Sequence, residues 1–307
     1  MAGSILITGG SGFLGSNLIE FFILNTDYRI FSISREEIEV DHPPERFISV
    51  KHDLSNPLAG DLKAKLGEVD YIIHLAGSSD VKKSVEAPVD TFKNNVITAI
   101  NSLEFARLNI PELKQFLFFS TAEVFGPSTD NKKFKENDRH NPHSPYAASK
   151  SAAQEICLSY FRSYELPVLI THVMNIYGKF QVKDKFISKM IRMISSGEKV
   201  SLHASGGPDK RNYLHVQDIC DSIFFLMRNG TAGEKYNIVS ETDTDNLEIA
   251  MIISKILNKD LNYKLVRPTP RHKHHTLSLL DGSKLREMGW KSKISLETGL
   301  RDFINNE

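Results

Sequence analysis

Ser4-Ile-Leu-Ile-Thr8-Gly9-Gly-Ser-Gly12-Phe-Leu-Gly15 is the stretch that decides which fold the sequence predicts. Its first five residues form a short apolar run of the kind that parallel sheets bury. The glycines that follow allow a tight turn and the close approach of a diphosphate to backbone N–H groups. A helix then begins at Gly12 or Phe13, with its positive end toward the phosphates. Strand, glycine turn and helix stand in the order that a dinucleotide-binding unit requires.

Short apolar runs of strand length recur along the chain at helix-sized intervals. They are Arg29–Ile33, Phe47–His52, Tyr71–Leu75, Phe116–Phe119 and Val168–Val173. Between two of them, Asp90–Leu108 has the apolar spacing of one helix, with Asn95 buried and bonded to backbone groups. The alternation predicts an α/β fold, a doubly wound parallel sheet of the Rossmann type with a smaller C-terminal substrate-binding lobe.

Composition limits the classes of partner. Lys plus Arg and Asp plus Glu number 38 each in 307 residues, so no net charge favours nucleic acid or a membrane surface, and small molecules are the expected partners. Cys157 and Cys220 lie far apart in apolar helical contexts, which indicates reduced thiols in a cytoplasmic protein. The chain enters a strand at once, and no apolar run approaches the roughly 18 residues of a membrane span, so we expect neither secretion nor membrane insertion.

The end of the second predicted strand selects the cofactor. An acidic residue there would bind a ribose 2′-hydroxyl and repel a 2′-phosphate. Ser34 holds that place and Arg35 follows it, and a guanidinium can bind a phosphate through two parallel hydrogen bonds. The pair therefore favours NADP over NAD. NAD remains the alternative, since a shift of two residues would bring Glu36 or Glu37 to the ribose.

Pro145-Tyr146-Ala147-Ala148-Ser149-Lys150 predicts a proton-transfer pair on a helix. The i,i+4 spacing puts the phenol of Tyr146 and the ammonium of Lys150 on one face. A free tyrosine has a pKa of about 10, and a fixed cation beside it favours the phenolate and lowers that pKa. Tyr146 could then remove or return a hydroxyl proton near neutral pH.

Small and polar residues follow the other predicted strands, at the sheet edge where open α/β folds bind ligands. Asp53 could accept a hydrogen bond from an adenine amino group or simply form a turn. Ala76-Gly77-Ser78-Ser79 lets a ligand approach the backbone, whereas we expect His74 to be a packed, hydrogen-bonded side chain. Ser120-Thr121-Ala122-Glu123 follows a fully apolar strand and reaches the same edge.

Several motifs stand in the order and spacing of the extended short-chain dehydrogenase/reductases. They are Thr8-Gly9-x-x-Gly12-x-x-Gly15, His74-Leu-Ala-Gly77, Ser120-Thr-Ala-Glu-Val-Phe-Gly126, Ser144-Pro-Tyr-x-x-x-Lys150 and Asn175-Ile-Tyr-Gly178. From about residue 4 to about residue 303 the chain resembles the NAD(P)-dependent nucleotide-sugar epimerase/dehydratase family. The resemblance implies a homodimer and two units. One is a dinucleotide-binding domain, residues 1–174 with a late strand and helix from 213–240, and the other is a substrate-binding lobe, residues 175–212 and 241–307.

The resemblance also assigns roles to residues at these motifs. Thr121 would hydrogen-bond the sugar O4, Tyr146 would be its base or acid, and Lys150 would hold the nicotinamide ribose and tune Tyr146. The residues expected to bind a nucleotide-diphosphate sugar are Ser78, Ser79, Thr121, Asn175, Arg211 and Arg267. Those expected to bind the dinucleotide are Gly9, Ser11, Gly12, Phe13, Leu14, Ser34, Arg35, Asp53, Leu54, Leu75, Ala76, Gly77, Tyr146 and Lys150.

Glu123 decides the type of reaction that the resemblance implies. In the 4,6-dehydratases of this family, the corresponding glutamate removes the C5 proton after oxidation at C4, and its neighbour often carries an acid or hydroxyl that helps hydroxide leave C6. Here the neighbour is Ala122, so Glu123 would serve as base and, once protonated, as acid. We expect 4,6-dehydration of an NDP-hexose. The alternatives are an NDP-sugar C4 epimerase, an NADPH-dependent 4-keto-6-deoxy-sugar reductase and, more remotely, a non-catalytic dinucleotide-sensing protein.

Three histidines in Thr269-Pro-Arg-His-Lys-His-His275 invite a metal hypothesis. They alternate with Arg271 and Lys273 in a Pro-bounded loop, without a carboxylate at ligand spacing. We therefore expect a solvated basic loop near the nucleotide and no metal site.

Overall fold

The computed structural model describes residues 3–38, 45–58, 61–128, 132–203, 210–266 and 279–305. The strands, in chain order, are β1 (Ser4–Thr8), β2 (Arg29–Ser34), β3 (Phe47–Lys51), β4 (Tyr71–His74), β5 (Gln115–Phe119), β6 (Lys133–Phe134), β7 (Val168–Val173), β8 (Asn175–Tyr177), β9 (Val200–His203), β10 (Arg211–His215), β11 (Lys235–Ile238), β12 (Asp243–Thr244), β13 (Tyr263–Val266) and β14 (Leu279–Leu280).

The α-helices alternate with these strands. They are α1 (Phe13–Asn25), α2 (Asp61–Leu66), α3 (Val81–Glu86), α4 (Pro88–Phe92), α5 (Thr98–Asn109), α6 (Pro145–Tyr164), α7 (Phe186–Ser195), α8 (Val216–Asn229), α9 (Asn246–Leu257), α10 (Ser283–Glu287) and α11 (Leu296–Asn305). A π-helical turn (Lys93–Ile97) joins α4 to α5, and a 3₁₀ turn (Ala122–Phe125) follows β5. In the part of the chain that the structure describes, no helix has the length and apolar character needed to cross a membrane.

One large parallel sheet organises the chain. Seven of the described strands form it in the order β11-β7-β5-β4-β1-β2-β3, and all neighbours are parallel. Strands are added outward from β1 in one direction and from β4 in the other, so the switch point lies between β1 and β4. Ligands of open α/β sheets bind at this point, beyond the carboxyl ends of the strands. The predicted doubly wound α/β fold is confirmed.

Helices cover both faces of the sheet. Ile72 belongs to a buried cluster with Leu103 of α5, whereas the neighbouring Ile73 belongs to another cluster with Phe22 of α1 and Ile223 of α8. Successive side chains of a strand point to opposite faces, so a sheet that is buried on both sides needs apolar residues at consecutive positions. The continuous apolar runs in the sequence have this cause.

The later elements build a smaller lobe. β8, β10 and β12 form a three-stranded sheet, β9 pairs with β13, and β6 pairs with β14. Helices α7, α9 and α11 share an apolar cluster that includes Met190, Ile253 and Phe303. β8 follows β7 after one residue, so the lobe begins directly at the carboxyl edge of the large sheet.

The prediction that Asp90–Leu108 is helical is confirmed, and the structure adds one π turn within this helix. In this turn Asn95 Oδ1 accepts a hydrogen bond from the Ser78 N–H at 2.6 Å. Asn95 Nδ2 donates to the Ser78 carbonyl at 3.1 Å and to Ser149 Oγ at 2.8 Å. We attribute the wider turn to these bonds, since π turns are frequent where a helix residue has a functional contact. The expectation that Asn95 is buried and bonds backbone groups is confirmed.

Candidate active site

The glycine turn brings the backbone of β1 against the start of α1. Gly9 has a φ of +74°, and a Cβ on it would lie 2.9 Å from the Ala76 nitrogen. A Cβ on Gly15 would lie 2.4 Å from the Gly9 carbonyl oxygen, so only glycine lets the helix approach the turn this closely. The helix begins after Gly12, which has no side chain to cap the first N–H groups. These free donors and the helix dipole fit the diphosphate of a dinucleotide.

A first cavity of about 270 Å³ opens beside this turn. The predicted dinucleotide contacts that line it are Gly9, Ser11, Gly12, Ser34, Arg35, Asp53, Leu54, Leu75, Ala76 and Gly77. Lys83, Asp90 and Asn94 line it as well, and sequence reasoning missed them. They come from the helices after β4, whose packing against the turn has no local signal in the sequence.

The end of β2 and the loop after β3 meet in the first cavity. Ser34 Oγ donates to the Glu36 carbonyl at 2.8 Å, and Asp53 Oδ1 accepts from the Ser55 N–H at 2.9 Å. The bond from Ser55 lowers the pKa of Asp53, and the nearby Arg35 guanidinium adds to this shift. Asp53 is therefore an ionised carboxylate that forms a turn, and its negative charge interacts with the Arg35 guanidinium.

A second cavity, of about 640 Å³, continues from the first and shares Gly9, Gly12, Leu75, Gly77 and Ser78 with it. The other predicted residues that line it are Phe13, Leu14, Ser79, Thr121, Glu123, Tyr146, Lys150, Asn175 and Arg211. The structure thus brings the predicted residues of six distant segments into one groove at the switch point. Arg267 and the histidines at 272, 274 and 275 lie outside the described residues.

Tyr146 and Lys150 are both buried in the wall of the second cavity. The prediction that Lys150 lowers the pKa of Tyr146 is wrong for the protein alone. Burial raises the pKa of Tyr146, and the Glu123 carboxylate adds to the shift, whereas a hydrogen bond from Thr121 opposes it. Burial also lowers the pKa of Lys150 to about 8, and its Nζ lies 4.2 Å from the centre of the Phe118 ring. The loss of water around each group is the largest cause of its shift.

Glu123 stands in the 3₁₀ turn at the carboxyl end of β5. Its N–H donates to Thr121 Oγ1 at 3.3 Å, so the hydroxyl of Thr121 caps the turn. Burial raises the pKa of Glu123 to about 7, although the charges of Arg211 and Lys185 lower it. A carboxyl group with this pKa can both take and give a proton near neutral pH.

The loop between β4 and α3 is fixed from two sides. Thr8 Oγ1 lies 2.9 Å from His74 Nδ1 and accepts from the N–H groups of Leu75 and Ala76 at 3.2 Å each. His74 is fully buried, so its predicted packed and hydrogen-bonded state is confirmed. On the other side, Ser149 links Asn95 to the first turn of α6, because its Oγ donates to the Tyr146 carbonyl at 2.7 Å.

The lobe supplies the remaining wall of the second cavity. Asn175 Nδ2 donates to the Asn212 carbonyl at 3.2 Å, and the Tyr213 hydroxyl donates to Asn246 Oδ1 at 3.1 Å. Gln181, Lys185, Tyr213 and Asn246 line this wall without having been predicted. No spacing in the sequence indicates which side chains of the segment around Lys185 face the cavity. In the described ranges, no group of three or more His, Cys, Asp or Glu side chains could hold a metal ion.

Comparison with known proteins gives full-length matches. The family model described as GDP-mannose 4,6 dehydratase matches residues 6–303. The chain is 31% identical over 312 residues to the low-salt glycan biosynthesis protein Agl12 of Haloferax volcanii, with 98% of this chain and 97% of that protein covered. It is 30% identical over 333 residues to the dTDP-glucose 4,6-dehydratase of Haemophilus influenzae, with 98% and 96% covered.

Solved structures agree with these matches. The dTDP-glucose 4,6-dehydratase DesIV of Streptomyces venezuelae, with NAD and TYD bound, superposes with a TM-score of 0.86 at 28% identity and covers 98% of this chain and 96% of its own. The UDP-glucose 4-epimerase of Thermus thermophilus, in complex with NAD, has a TM-score of 0.85 at 23% identity, covers 99% of this chain and 98% of its own, and shares the fold.

The raised pKa of Glu123 predicts how stability depends on pH. The folded protein holds this proton up to about pH 7, whereas the unfolded chain releases it near pH 4.5, so the free energy of unfolding falls as pH rises through this window. The neutral variant Glu123→Gln lacks this loss. From pH 4.5 to about pH 7, we expect the free energy of unfolding of Glu123→Gln, measured with urea, to rise by about 3 kcal/mol relative to that of the wild type. The control Glu155→Gln, an exposed change on α6, should follow the wild type, and a parallel curve for Glu123→Gln would refute the shift.

Proposed function

The chain belongs to the GDP-mannose 4,6 dehydratase family of nucleotide-sugar enzymes within the extended short-chain dehydrogenase/reductases, and we propose that it catalyses the 4,6-dehydration of a nucleotide-linked hexose. One observation carries the choice of reaction. Glu123, with a pKa of about 7, lines the same cavity as Thr121, Tyr146 and Lys150. A C4 epimerase needs no group that exchanges a proton with C5, whereas a 4,6-dehydratase does. The 30% identity to a dTDP-glucose 4,6-dehydratase supports the same choice.

The proposed chemistry starts at sugar C4. Bound in the first cavity and reaching into the second, the dinucleotide would accept the hydrogen of C4 as hydride and return it at C6. Thr121 hydrogen-bonds O4 and Tyr146 removes the O4 proton. Because burial raises the pKa of Tyr146 in the protein alone, this step requires that the pKa falls in the complete complex.

Glu123 carries the elimination. It removes the C5 proton of the 4-keto sugar and, once protonated, gives a proton to the C6 hydroxyl, which leaves as water; C5 later takes a proton from solvent. The neighbouring Ala122 has only a methyl group, so a single carboxyl group performs both transfers. Its pKa of about 7 suits this double duty, because a stronger acid would be a poor base and a weaker acid would release its proton too slowly.

Two substitutions separate the steps of the proposed reaction. The pure protein is incubated with dTDP-, UDP-, GDP- and CDP-hexoses, and the products are analysed by mass spectrometry and NMR. The wild type should form a 4-keto-6-deoxy sugar. Tyr146→Phe should lose activity by orders of magnitude and still bind the dinucleotide, whereas Glu123→Gln should oxidise C4 but leave the C6 hydroxyl in place.

Each competing function would give a different product pattern in this assay. Inverted C4 with an intact C6 hydroxyl would make the protein an epimerase. Turnover of an added 4-keto sugar alone, with consumption of NADPH, would make it a reductase. Dinucleotide binding without turnover, unchanged in Tyr146→Phe, would make it a sensor. Glu155→Gln serves as the control with unchanged activity, because this exposed residue of α6 lies outside the lining of both cavities in the described residues.

For the cofactor, we propose NADP in preference to NAD. Ser34 ends β2 and Arg35 follows it, and both line the first cavity at the place where an acidic residue would select NAD. NAD is the dinucleotide in the structures of both dehydratase and epimerase relatives, so it is the natural competitor. The Arg35 guanidinium already lowers the pKa of Asp53, and the 2′-phosphate would give it a second anionic partner.

Arg35→Ala tests the choice of cofactor. We expect its dissociation constant for NADP to rise by about tenfold or more, the size of a charge-assisted hydrogen bond, and that for NAD to change little. Fluorescence titration with each dinucleotide measures both. The control is Arg29→Ala, which removes the exposed arginine at the opposite end of β2. An equal rise in the dissociation constants of the two dinucleotides would mean that the Arg35 guanidinium does not bind the 2′-phosphate.

We also propose a homodimer. Val85, Val89, Phe92 and Ile97 are exposed apolar side chains on the consecutive turns of α3, α4 and the π turn, and Val89 is 65% exposed. A second copy of the chain would remove them from water. We expect sedimentation velocity to give a dimer for the wild type and a monomer for Val89→Asp. Leu24→Asp, on α1, is the control for an exposed leucine elsewhere, and a Val89→Asp dimer as stable as this control would place the interface on another face.

Two further expectations remain proposals. Residues 1–174 with 213–240 would bind the dinucleotide, and residues 175–212 and 241–307 would cover the sugar nucleotide; ligand protection in hydrogen exchange of each unit would test this division. A cytoplasmic location is supported by Cys157 and Cys220, which are buried free thiols. Cell fractionation would test the location.

A further inference from the structure

The loop of residues 178–185, between β8 and α7, has a backbone that needs outside support. Phe180 has a φ of +68°, a conformation that costs energy for a bulky side chain, and its ring is 54% exposed. Burial of the ring therefore does not hold the loop. Gly178 before it has a φ of +137°, and a Cβ there would lie 2.7 Å from Val216 Cγ1. The loop is thus pressed against the start of α8 at one end and strained in its middle.

Helix α1, the helix that starts at the glycine turn, holds this loop at two points. Asn17 is 0% exposed, and its Nδ2 donates both to the Phe13 carbonyl and to the Lys179 carbonyl at 2.8 Å. Lys179 Nζ donates to the two carboxylate oxygens of Glu20 at 2.8 and 3.0 Å. Asn17 and Glu20 lie three residues apart on α1, so they present one face to the loop. Both contacts converge on Lys179, directly before the strained Phe180.

The other end of the loop reaches the second cavity. Gln181 and Lys185 line it, and the charge of Lys185 lowers the pKa of Glu123. Gln181 is itself oriented by the loop, because its Nε2 donates to the Ile176 carbonyl at 2.6 Å and its N–H to the Gly178 carbonyl at 3.1 Å. A shift of the loop at Lys179 would therefore move groups in the wall of the cavity.

We infer that Asn17, assisted by Glu20, is a positioning residue for the sugar nucleotide. It fastens the loop of residues 178–185 to the helix whose first turn faces the dinucleotide diphosphate, and so fixes Gln181 and Lys185 in the wall of the second cavity. The inference rests on the proposed function, since a nucleotide-linked sugar is the expected occupant of that cavity. Asn17 carries more of the effect than the ion pair, because a buried hydrogen bond contributes more than a pair of half-exposed charges.

The chain offers a matched control for Asn17. Asn25 lies on the same helix, and its Nδ2 donates to the Phe21 carbonyl at 2.8 Å, the same bond to the residue four positions earlier, but Asn25 is exposed. Asn17→Ala and Asn25→Ala thus each remove an equivalent intrahelical bond, but only Asn17→Ala also removes the bond to the loop. Glu20→Gln, at the surface, weakens the second contact and keeps the test possible if Asn17→Ala does not fold.

The test measures binding of dTDP-glucose, UDP-glucose and GDP-mannose by calorimetry, with NADP or NAD present. We expect Asn17→Ala to weaken the sugar nucleotide that binds tightest by about tenfold, the size of one buried hydrogen bond, and Glu20→Gln to weaken it less. The dissociation constant of the dinucleotide and the affinity of Asn25→Ala should match the wild type. The inference would be overturned if Asn17→Ala and Asn25→Ala bound the sugar nucleotide with equal affinity. If Asn17→Ala does not fold, equal affinities of Glu20→Gln and the wild type would overturn it.

A double-mutant cycle separates positioning from a general structural role. The background for this cycle is the double variant Gln181→Ala with Lys185→Met. Asn17→Ala added to this background should weaken sugar-nucleotide binding little further, because the groups that Asn17 positions are gone. Glu20→Gln replaces Asn17→Ala in the cycle if the latter does not fold. A loss as large as in the wild type would show that Asn17 does not act through the loop. If the wild type binds none of the three sugar nucleotides and no CDP-hexose, the proposed function fails and the inference fails with it. Binding without a difference between Asn17→Ala and Asn25→Ala removes the inference alone.

Discussion

Removal of water from polar groups at one edge of the sheet is the constraint on which the candidate site depends. The parallel strands deliver Thr121 and Glu123 to this edge, and α6 adds Tyr146 and Lys150 beside them. Burial penalises the charged form of each group, so it raises the pKa of Glu123 to about 7 and lowers that of Lys150 to about 8. A carboxyl group and an amine that are ordinarily far apart in pKa become proton donors and acceptors of nearly equal strength.

The features that the sequence could predict are those that depend only on residues close together in the chain. The stretch from Ser4 to Gly15 is local, and its strand, turn and helix need only their own residues, so the fold and the dinucleotide-binding turn were predictable. The i,i+4 spacing likewise placed Tyr146 and Lys150 together in one cavity wall. The shift in the pKa of Tyr146 was not predictable, because two residues in a helix reveal nothing about how much water the remaining structure leaves around them.

Contacts between distant segments account for the other differences. The π turn forms where Asn95 meets Ser78 and Ser149, and no spacing within residues 90–108 reveals those partners. Lys83 and Lys185 line the two cavities because helices and loops from elsewhere bring them there. Two lysines in solvated segments look alike in a sequence, whether they face a cavity or the solvent.

In the proposed reaction one carboxyl group, Glu123, allows the hydrogen taken from C4 to be returned at C6 of the same sugar. The most direct measurement uses a nucleotide hexose deuterated at C4 and follows the label by NMR. We expect deuterium in the C6 methyl group of the wild-type product and none there for Glu123→Gln. Deuterium that remains at C4 of a sugar with an intact C6 hydroxyl would contradict it.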